Sequence, residues 1–412
     1  MSKKFDLLVV GAGMGGLVLA LLMARKGLRV AVLDRDAYPV PLPRGEILQP
    51  NGLKILAQLG LLQDLQKTDV HLNKQVHFQT ISGAHLCTID YARLPRPYPY
   101  ALVLLPAVLH RILLDAVEED PMIETYWRTS FHDVLWNDAQ VIGVEATQSE
   151  KSVRFDCPMI VGADGAGSRV RAVFQSPYRA QAYDDGYITM VVDRPAGFQE
   201  DSRYYLGQGV IFGAFPVSSR KVYLFYLMPI QRLETAKAQG VGCLKSEMLS
   251  LHPEIEAMFR DPLQEIETWE QTAYMRCFRV ACDSWVVSGG ALLGDAAHAM
   301  NPHVAQGRNA AMADALALSG VLETCFNQGD FSKKTLVQYE QARRGEVDTL
   351  QAFGDEMVYF WNSPSPVLCW LRDRVFKKVQ RSPHLHDKLL QTVSGVKMMP
   401  FNWIDRLSAV CP

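Results

Sequence analysis

The chain has 412 residues, 48% of them hydrophobic, and a formal net charge of −2. At roughly 150 residues per domain this length predicts two domains plus an appendage, and the near-neutral balance gives no electrostatic case for nucleic acid or an acidic partner. The eight cysteines include no CxxC pair, and Cys157, Cys277 and Cys282 fall in or beside strand-like runs, which predicts buried reduced thiols in a cytoplasmic protein. Met1 to Asp6 leads into an apolar strand without room for a signal peptide, and no apolar run approaches the roughly twenty residues that cross a bilayer.

In chain order, Phe5 to Val10 reads as a short β run, Gly11-Ala12-Gly13-Met14-Gly15-Gly16 follows at once, and Leu17 to Ala24 continues with helical apolar content. Strand, tight turn and helix are the context that gives a GxGxxG run its meaning. Gly11 allows the turn, Gly13 lets backbone approach a pyrophosphate, and Gly16 permits close packing of helix on strand. The phosphates of a dinucleotide would meet the positive end of the helix. A second strand, Leu28 to Leu33, ends in Asp34 and Arg35, placing a carboxylate to accept from a ribose 2′-hydroxyl.

Phe131 to Trp136 and Val141 to Ala146 read as two strands of the nucleotide-binding sheet joined at Asn137-Asp138. Met159 to Val161 then delivers Gly162-Ala163-Asp164-Gly165, where Asp164 either braces a cofactor or caps the following turn with Ser168. From Gly186 to about Arg279 the runs Tyr187–Val192, Arg203–Leu206, Val210–Phe215, Val222–Met228 and Thr268–Phe278 predict an antiparallel sheet. It is interrupted by a helical stretch over Gln231–Phe259, and residues between Thr80 and Tyr100 are expected to add an edge. Trp285 to Leu293 reads as one apolar strand delivering Gly294-Asp295-Ala296-Ala297-His298. Asn301-Pro302 and Gln306-Gly307-Arg308-Asn309 precede a helix from Asn309 to Thr324 whose N-terminus would favour negative charge in the same crevice.

Three glycine/acid signatures in this order make the chain resemble the class A FAD-dependent monooxygenases, the aromatic hydroxylases that include para-hydroxybenzoate hydroxylase and the ubiquinone-pathway hydroxylases. The match spans about residues 1 to 350. The resemblance implies an α/β fold: a Rossmann-like FAD-binding domain (1–75, 100–180 and 280–350), an inserted antiparallel β-sheet substrate domain (76–99 and 181–279) and a C-terminal helical segment (351–412). It implies that Gly11 to Gly16, Asp34 and Arg35 hold the ADP half of FAD. Arg44 contacts FAD, Asp164 braces it, Gly294 and Asp295 bind the ribityl chain, and Pro302, Gly307, Arg308 and Asn309 lie against the isoalloxazine ring. NAD(P)H, bound transiently, would reduce FAD; O₂ would add at C4a, and the hydroperoxide would pass oxygen to an electron-rich small molecule, the organic chemistry being the cofactor's.

The chain departs from the family pattern at Pro106, where a Gln or Arg contact to the pyrophosphate is usual, and at Ala305 and Arg308. Arg308 reads as a surface arginine along a helix start, with positive charge near the flavin or an anionic substrate as the alternative. Among the aromatics Tyr204, Tyr205, Phe212, Phe215, Tyr223, Phe225 and Tyr226, packing is the prevailing expectation, with Tyr205 and Tyr226 singled out as substrate contacts. His298 is read as structural, His303 as a candidate proton acceptor for substrate, and His384 and His386 as surface residues; their spacing gives no metal site. In the tail, Val367, Leu368, Trp370, Leu371, Val375 and Val379 fall on one helical face with Arg372, Arg374, Lys377 and Lys378 around it. Packing on the protein itself is the expected use of such a helix, and a membrane surface the alternative.

Other readings separate on chemistry. A flavin halogenase would carry a Trp-x-Trp-x-Ile-Pro run, which this chain lacks. A polyprenyl-type reductase would consume NAD(P)H without incorporating oxygen, and a non-redox binding module on this fold would not need the Gly294-Asp295 element.

Overall fold

The computed structural model describes residues 3–37, 45–138, 140–198 and 201–410, so Arg44 lies outside the described residues. Its first layer is a six-stranded sheet in the order Val286–Val287, Gly290–Leu292, Met159–Gly162, Leu7–Val10, Val30–Leu33, Ile123–Tyr126. The last five run parallel. Leu7–Val10, Val30–Leu33 and Met159–Gly162 are buried at every position, which is why they appear in sequence as unbroken apolar runs rather than alternating ones. The helices Met14–Ala24 and Gly307–Gln328 pack against each other above this sheet.

Two local expectations need correction. Trp285 to Leu293 is not one strand but a small antiparallel hairpin, because Gly289 adopts φ +77° and reverses the chain between Val287 and Gly290. The strands around Asn137-Asp138 do form a hairpin, Thr129–Asn137 with Gln140–Gln148, but within a separate four-stranded sheet completed by Lys151–Asp156 and Lys3–Lys4. Asp138 turns it at φ +51°, a conformation that Asp tolerates better than most residues.

The second domain is a seven-stranded sheet, in the order Ala273–Cys282, Tyr178–Asp193, Lys221–Pro229, Ile211–Pro216, Ser202–Leu206, Gln75–Thr80, His85–Asp90. The pairing is antiparallel except where Ser202–Leu206 runs parallel to Gln75–Thr80. One face is covered by three helices, Ile230–Gln239, Val241–Leu249 and Pro253–Gln264, where a single interruption was expected. The opposite face looks toward Val304, the strand Ala101–Leu104 and the C-terminal helices. Helix Lys333–Trp361 runs through position 350, carrying the chain from the first domain to the back of the second. Helices Pro366–Arg381, Pro383–Val393 and Trp403–Val410 complete the molecule.

Candidate active site

The first glycine turn is shaped by contact. Gly11 sits at φ +110°, and a Cβ on it would lie 2.3 Å from the Ala163 carbonyl oxygen. A Cβ on Gly16 would lie 2.1 Å from the Gly11 carbonyl oxygen. These two positions lock the first and middle motifs together. At Gly13 a Cβ would meet nothing within 4 Å, and Gly13 to Gly16 line the crevice at a helix N-terminus, the arrangement that suits a pyrophosphate. Asp34 accepts from the Ala12 N–H (2.8 Å) and the Asp36 N–H (3.0 Å), holding the turn against the end of its strand, with Arg35 exposed beside it.

Of the two readings of Asp164, the hydrogen bonds show the cap. Its carboxylate accepts from the Ser168 hydroxyl (2.5 Å) and from the N–H groups of Arg169 (2.7 Å) and Val170 (3.1 Å). It therefore caps the helix start, and the crevice is lined instead by Ala163 and Gly165.

The late motif is held by a buried ionic network. Gly294 turns at φ +60°, Asp295 follows exposed at the crevice, and the Gly294 N–H donates to Asp314 Oδ2 (3.2 Å). The same carboxylate meets His298 Nε2 at 2.5 Å and accepts from Arg343 Nε at 2.8 Å. Burial would raise the Asp314 pKa, but the partners His298 and Arg343 hold it below the ordinary carboxylate value. His298 is thus structural, as expected, and Asp314 is a residue the sequence reading missed.

Around the start of helix Gly307–Gln328, Asn309 accepts from the Gln49 N–H (3.0 Å) and donates to the carbonyls of Ile47 (3.0 Å) and Ala305 (3.1 Å). It joins the helix to strand Glu46–Leu48. Arg308 is not a solvated surface residue: it lines the crevice paired with Glu46, so its charge is largely answered within the protein. The turn before the helix, at Ala305, has φ +52°. A further helix, Pro106–Glu119, brings His110 and Arg111 to the crevice one turn beyond Pro106, with His110 Nε2 2.8 Å from the Ala12 carbonyl oxygen. Pro106 has no side-chain donor to offer, but these two neighbours do, and sequence reasoning did not identify them.

These elements border one cavity of about 640 Å³ that runs from Gly13 past Asp295, Pro302 and Gly307 to the aromatic sheet, within the range of a cofactor or small-molecule site. On the sheet, Tyr187, Tyr204, Phe215, Tyr223 and Phe225 face it. Tyr205 and Tyr226 do not. They stand on the opposite face of their strands, where Tyr205 packs on Phe212 and the Tyr226 hydroxyl donates to Glu247 (2.7 Å), because neighbouring strand residues alternate between faces. The substrate contact expected of these two tyrosines does not fit that placement, and it is their neighbours Tyr204 and Phe225 that line the cavity. A smaller 60 Å³ space continues behind Tyr204 and His303, walled by Met357, Trp361, Phe376 and Leu389 of the C-terminal helices.

Packing on this floor is tight. A Cβ on Gly213 would lie 1.9 Å from the Phe225 ring. Gly213→Val is therefore expected to push that ring into the cavity and weaken binding of bulky ligands at least about tenfold, within the cost of overpacking; titration with a graded series of aromatic ligands would read it, and equal loss for small and large ligands would contradict the steric account.

His303 is buried at the edge of this chamber. Its Nε2 is 2.8 Å from the Tyr187 hydroxyl and 3.0 Å from Asn362 Oδ1, and Asn362 Nδ2 donates to Asp185 Oδ2 (3.1 Å). Asp185 thereby turns the amide so that its oxygen faces the ring, which calls for the proton on Nε2 and leaves the lone pair on Nδ1. Nδ1 has no protein partner. Burial pushes the His303 pKa down to about 4, so the ring is neutral at pH 7. The depressed value means stability is present above the unfolded pKa, roughly 6.5, and is lost as pH falls toward about 4. Between pH 7 and 5 the protein is expected to lose about 2 kcal/mol more than its His303→Phe variant by denaturant titration; matching losses would refute it.

Elsewhere, His386 is not a surface residue as expected. It is buried, bonded to Arg93 (2.8 Å) and to the Thr88 carbonyl (2.9 Å), while His384 is exposed and paired with Asp405. The described cysteines are free, six of seven are buried, and no group of three or more potential metal ligands occurs among the described residues.

Comparison with known proteins agrees with this geometry. Residues 4–353 match the model of an FAD binding domain family. The chain is 30% identical to 6-methylpretetramide 4-monooxygenase of Streptomyces rimosus, over 95% of this chain and 92% of that one, and 28% identical to 3-hydroxybenzoate 6-hydroxylase 1 of Aquipseudomonas alcaligenes, over 86% and 89%. The crystal structure of p-nitrophenol 4-monooxygenase from Pseudomonas putida shares the fold with a TM-score of 0.82 at 19% identity, covering 97% of this chain and all of that one. The chain belongs to the class A FAD-dependent aromatic hydroxylases, monooxygenases that work with FAD and with the NAD(P)H reductant typical of the class.

Proposed function

We propose that the enzyme hydroxylates a neutral phenol or enol, of a size that fills the aromatic chamber and the space behind it, with the substrate hydroxyl donated to His303 Nδ1. The observation that carries this reading is the neutral His303 ring, whose buried Nδ1 has no protein partner, at the border of a cavity walled by Tyr187, Tyr204, Phe215, Phe225 and Trp361. A buried acceptor without a partner is costly until a ligand donor meets it. The name of the Streptomyces relative, which acts on 6-methylpretetramide, supports an extended aromatic over a single small ring.

FAD supplies the redox and oxygen-transfer chemistry when bound. The chain's own part is positional and electrostatic. Backbone at Gly13 to Gly16, with His110 and Arg111 nearby, would receive the pyrophosphate, Asp34 and Arg35 would serve the ADP half, and Asp295 would hold the ribityl chain. Pro302, Gly307, Arg308 and Asn309 frame the ring site, and the N–H groups opening the Gly307–Gln328 helix stabilise negative charge there. The aromatic wall excludes water. His303 accepts a hydrogen bond from the substrate hydroxyl, which orients the phenol and raises electron density on the ring to be attacked. Cytoplasmic residence is part of the proposal, supported by the free cysteines.

Substrate-stimulated NAD(P)H oxidation across phenols, their O-methyl ethers and polycyclic aromatics, with ¹⁸O₂ label counted in the product, tests it. Label in a polycyclic phenol and none in its ether is the expected pattern. Oxidation without label, or equal turnover of ethers, would overturn it.

A further inference from the structure

We infer that the C-terminal helices form a docking face for an anionic lipid bilayer. Helix Pro366–Arg381 does pack on the protein, but through Cys369, Arg372, Phe376 and Val379. Arg372 is buried because its guanidinium donates to the carbonyls of Gly207 (2.8 Å) and Trp361 (3.4 Å). That leaves another stripe outward: Val367 and Trp370, 70% and 60% exposed, then half-buried Arg374 and exposed Lys377 and Arg381 at the helical spacings that continue it. Helix Trp403–Val410 lies alongside, with the Val410 carbonyl accepting from Arg374 Nε (2.7 Å) and the Arg374 guanidinium over the Trp370 ring. It adds Trp403 (69% exposed), Ile404, Leu407 and Val410, all outward.

Two exposed tryptophans among aliphatic side chains, bordered by cations, are what a headgroup boundary accommodates: aromatic rings at the interface, aliphatic chains beneath it, and Lys/Arg among the phosphates. Charge favours lipid over a second copy of the chain. Residues 366–412 carry eight Lys/Arg against three Asp/Glu, a net +5, while the whole chain is −2. An isologous contact would bring two such faces together. The contact is superficial, since no helix among the described residues is long and apolar enough to cross a membrane.

The test is cosedimentation of the FAD-loaded full chain with vesicles of phosphatidylcholine alone or mixed with phosphatidylglycerol. Binding to the anionic vesicles is expected, at least tenfold weaker on zwitterionic ones and weakening with salt. Lys377→Glu with Arg381→Glu should reduce it by about fivefold per charge removed or more. Trp370→Ser with Trp403→Ser should reduce it without changing flavin absorbance or turnover of a soluble substrate, which keeps a folding defect distinguishable. Absence of binding to anionic vesicles, or loss of binding only where flavin is also lost, overturns the inference. So does a concentration-dependent dimer in sedimentation velocity that the tryptophan variant abolishes.

Discussion

Asp314→Ala is expected to destabilise the enzyme by about 3–5 kcal/mol, the usual cost of removing one member of a buried ion cluster. The carboxylate is fully buried in the middle of helix Gly307–Gln328 and meets His298, Arg343 and the Gly294 N–H at once. Its loss takes the buried partner from the Arg343 guanidinium, leaving it only the more exposed Glu346, and frees a glycine turn at φ +60° that places Asp295. FAD affinity should therefore fall along with the melting temperature, although Asp314 does not line the crevice. Asp314→Asn keeps the volume and the donor-accepting oxygen, so it should fall between. Thermal melts with and without added FAD, together with FAD titration of the apoprotein, read both effects. A wild-type melt with unaltered FAD retention in Asp314→Ala would remove the brace from the account.

His303→Phe should lower kcat by about 10²-fold or more on a phenolic substrate, the scale of a positioned proton acceptor. FAD binding should stay within about twofold, because His303 reaches the cofactor's cradle through no hydrogen bond: its partners are Tyr187 and Asn362. Asn362→Leu deletes the oxygen that holds the proton on Nε2. It should cost less, about tenfold, by letting the ring spend time with its proton on Nδ1. Single-turnover oxidation with a phenol and its methyl ether distinguishes this from a packing defect. In the proton-acceptor account the substitutions harm the phenol and leave the affinity for the ether unchanged; equal harm to both would mean that His303 only fills space.

The cofactor half of this molecule was readable in sequence because its signals are local. Gly11, Gly16 and Gly294 each sit in a strand–turn–helix unit spelled out in consecutive residues, although the atoms that crowd Gly11 and Gly294 belong to Ala163 and Ala311. The chamber was harder for a definite reason. Alternation says that Tyr204 and Tyr205 face opposite ways, but both faces of the sheet are covered, one by three helices and one by the cavity. Nothing in the pattern says which side is which. Strand Lys221–Pro229 is buried at seven successive positions, so Tyr223, Phe225 and Tyr226 look equally internal. Arg372 and His386 misled in the opposite sense. Their burial depends on carbonyl groups of Gly207, Trp361 and Thr88, which hydropathy does not register. Asp314 belongs with them, its importance visible only once His298 and Arg343 arrive from other elements.

Helix Lys333–Trp361 has a consequence for how such an enzyme diversifies. By carrying the chain to the back of the chamber, it lets residues beyond 356 furnish a wall of the reaction space, while the residues that line the cofactor crevice end at about 311 and their Asp314–Arg343 brace ends at 343. Selection acting on the last two turns of that helix and on the three C-terminal helices can therefore retune which compounds are accepted without disturbing the redox machinery. Chimaeras joined within helix Lys333–Trp361 are a natural route to new substrate ranges.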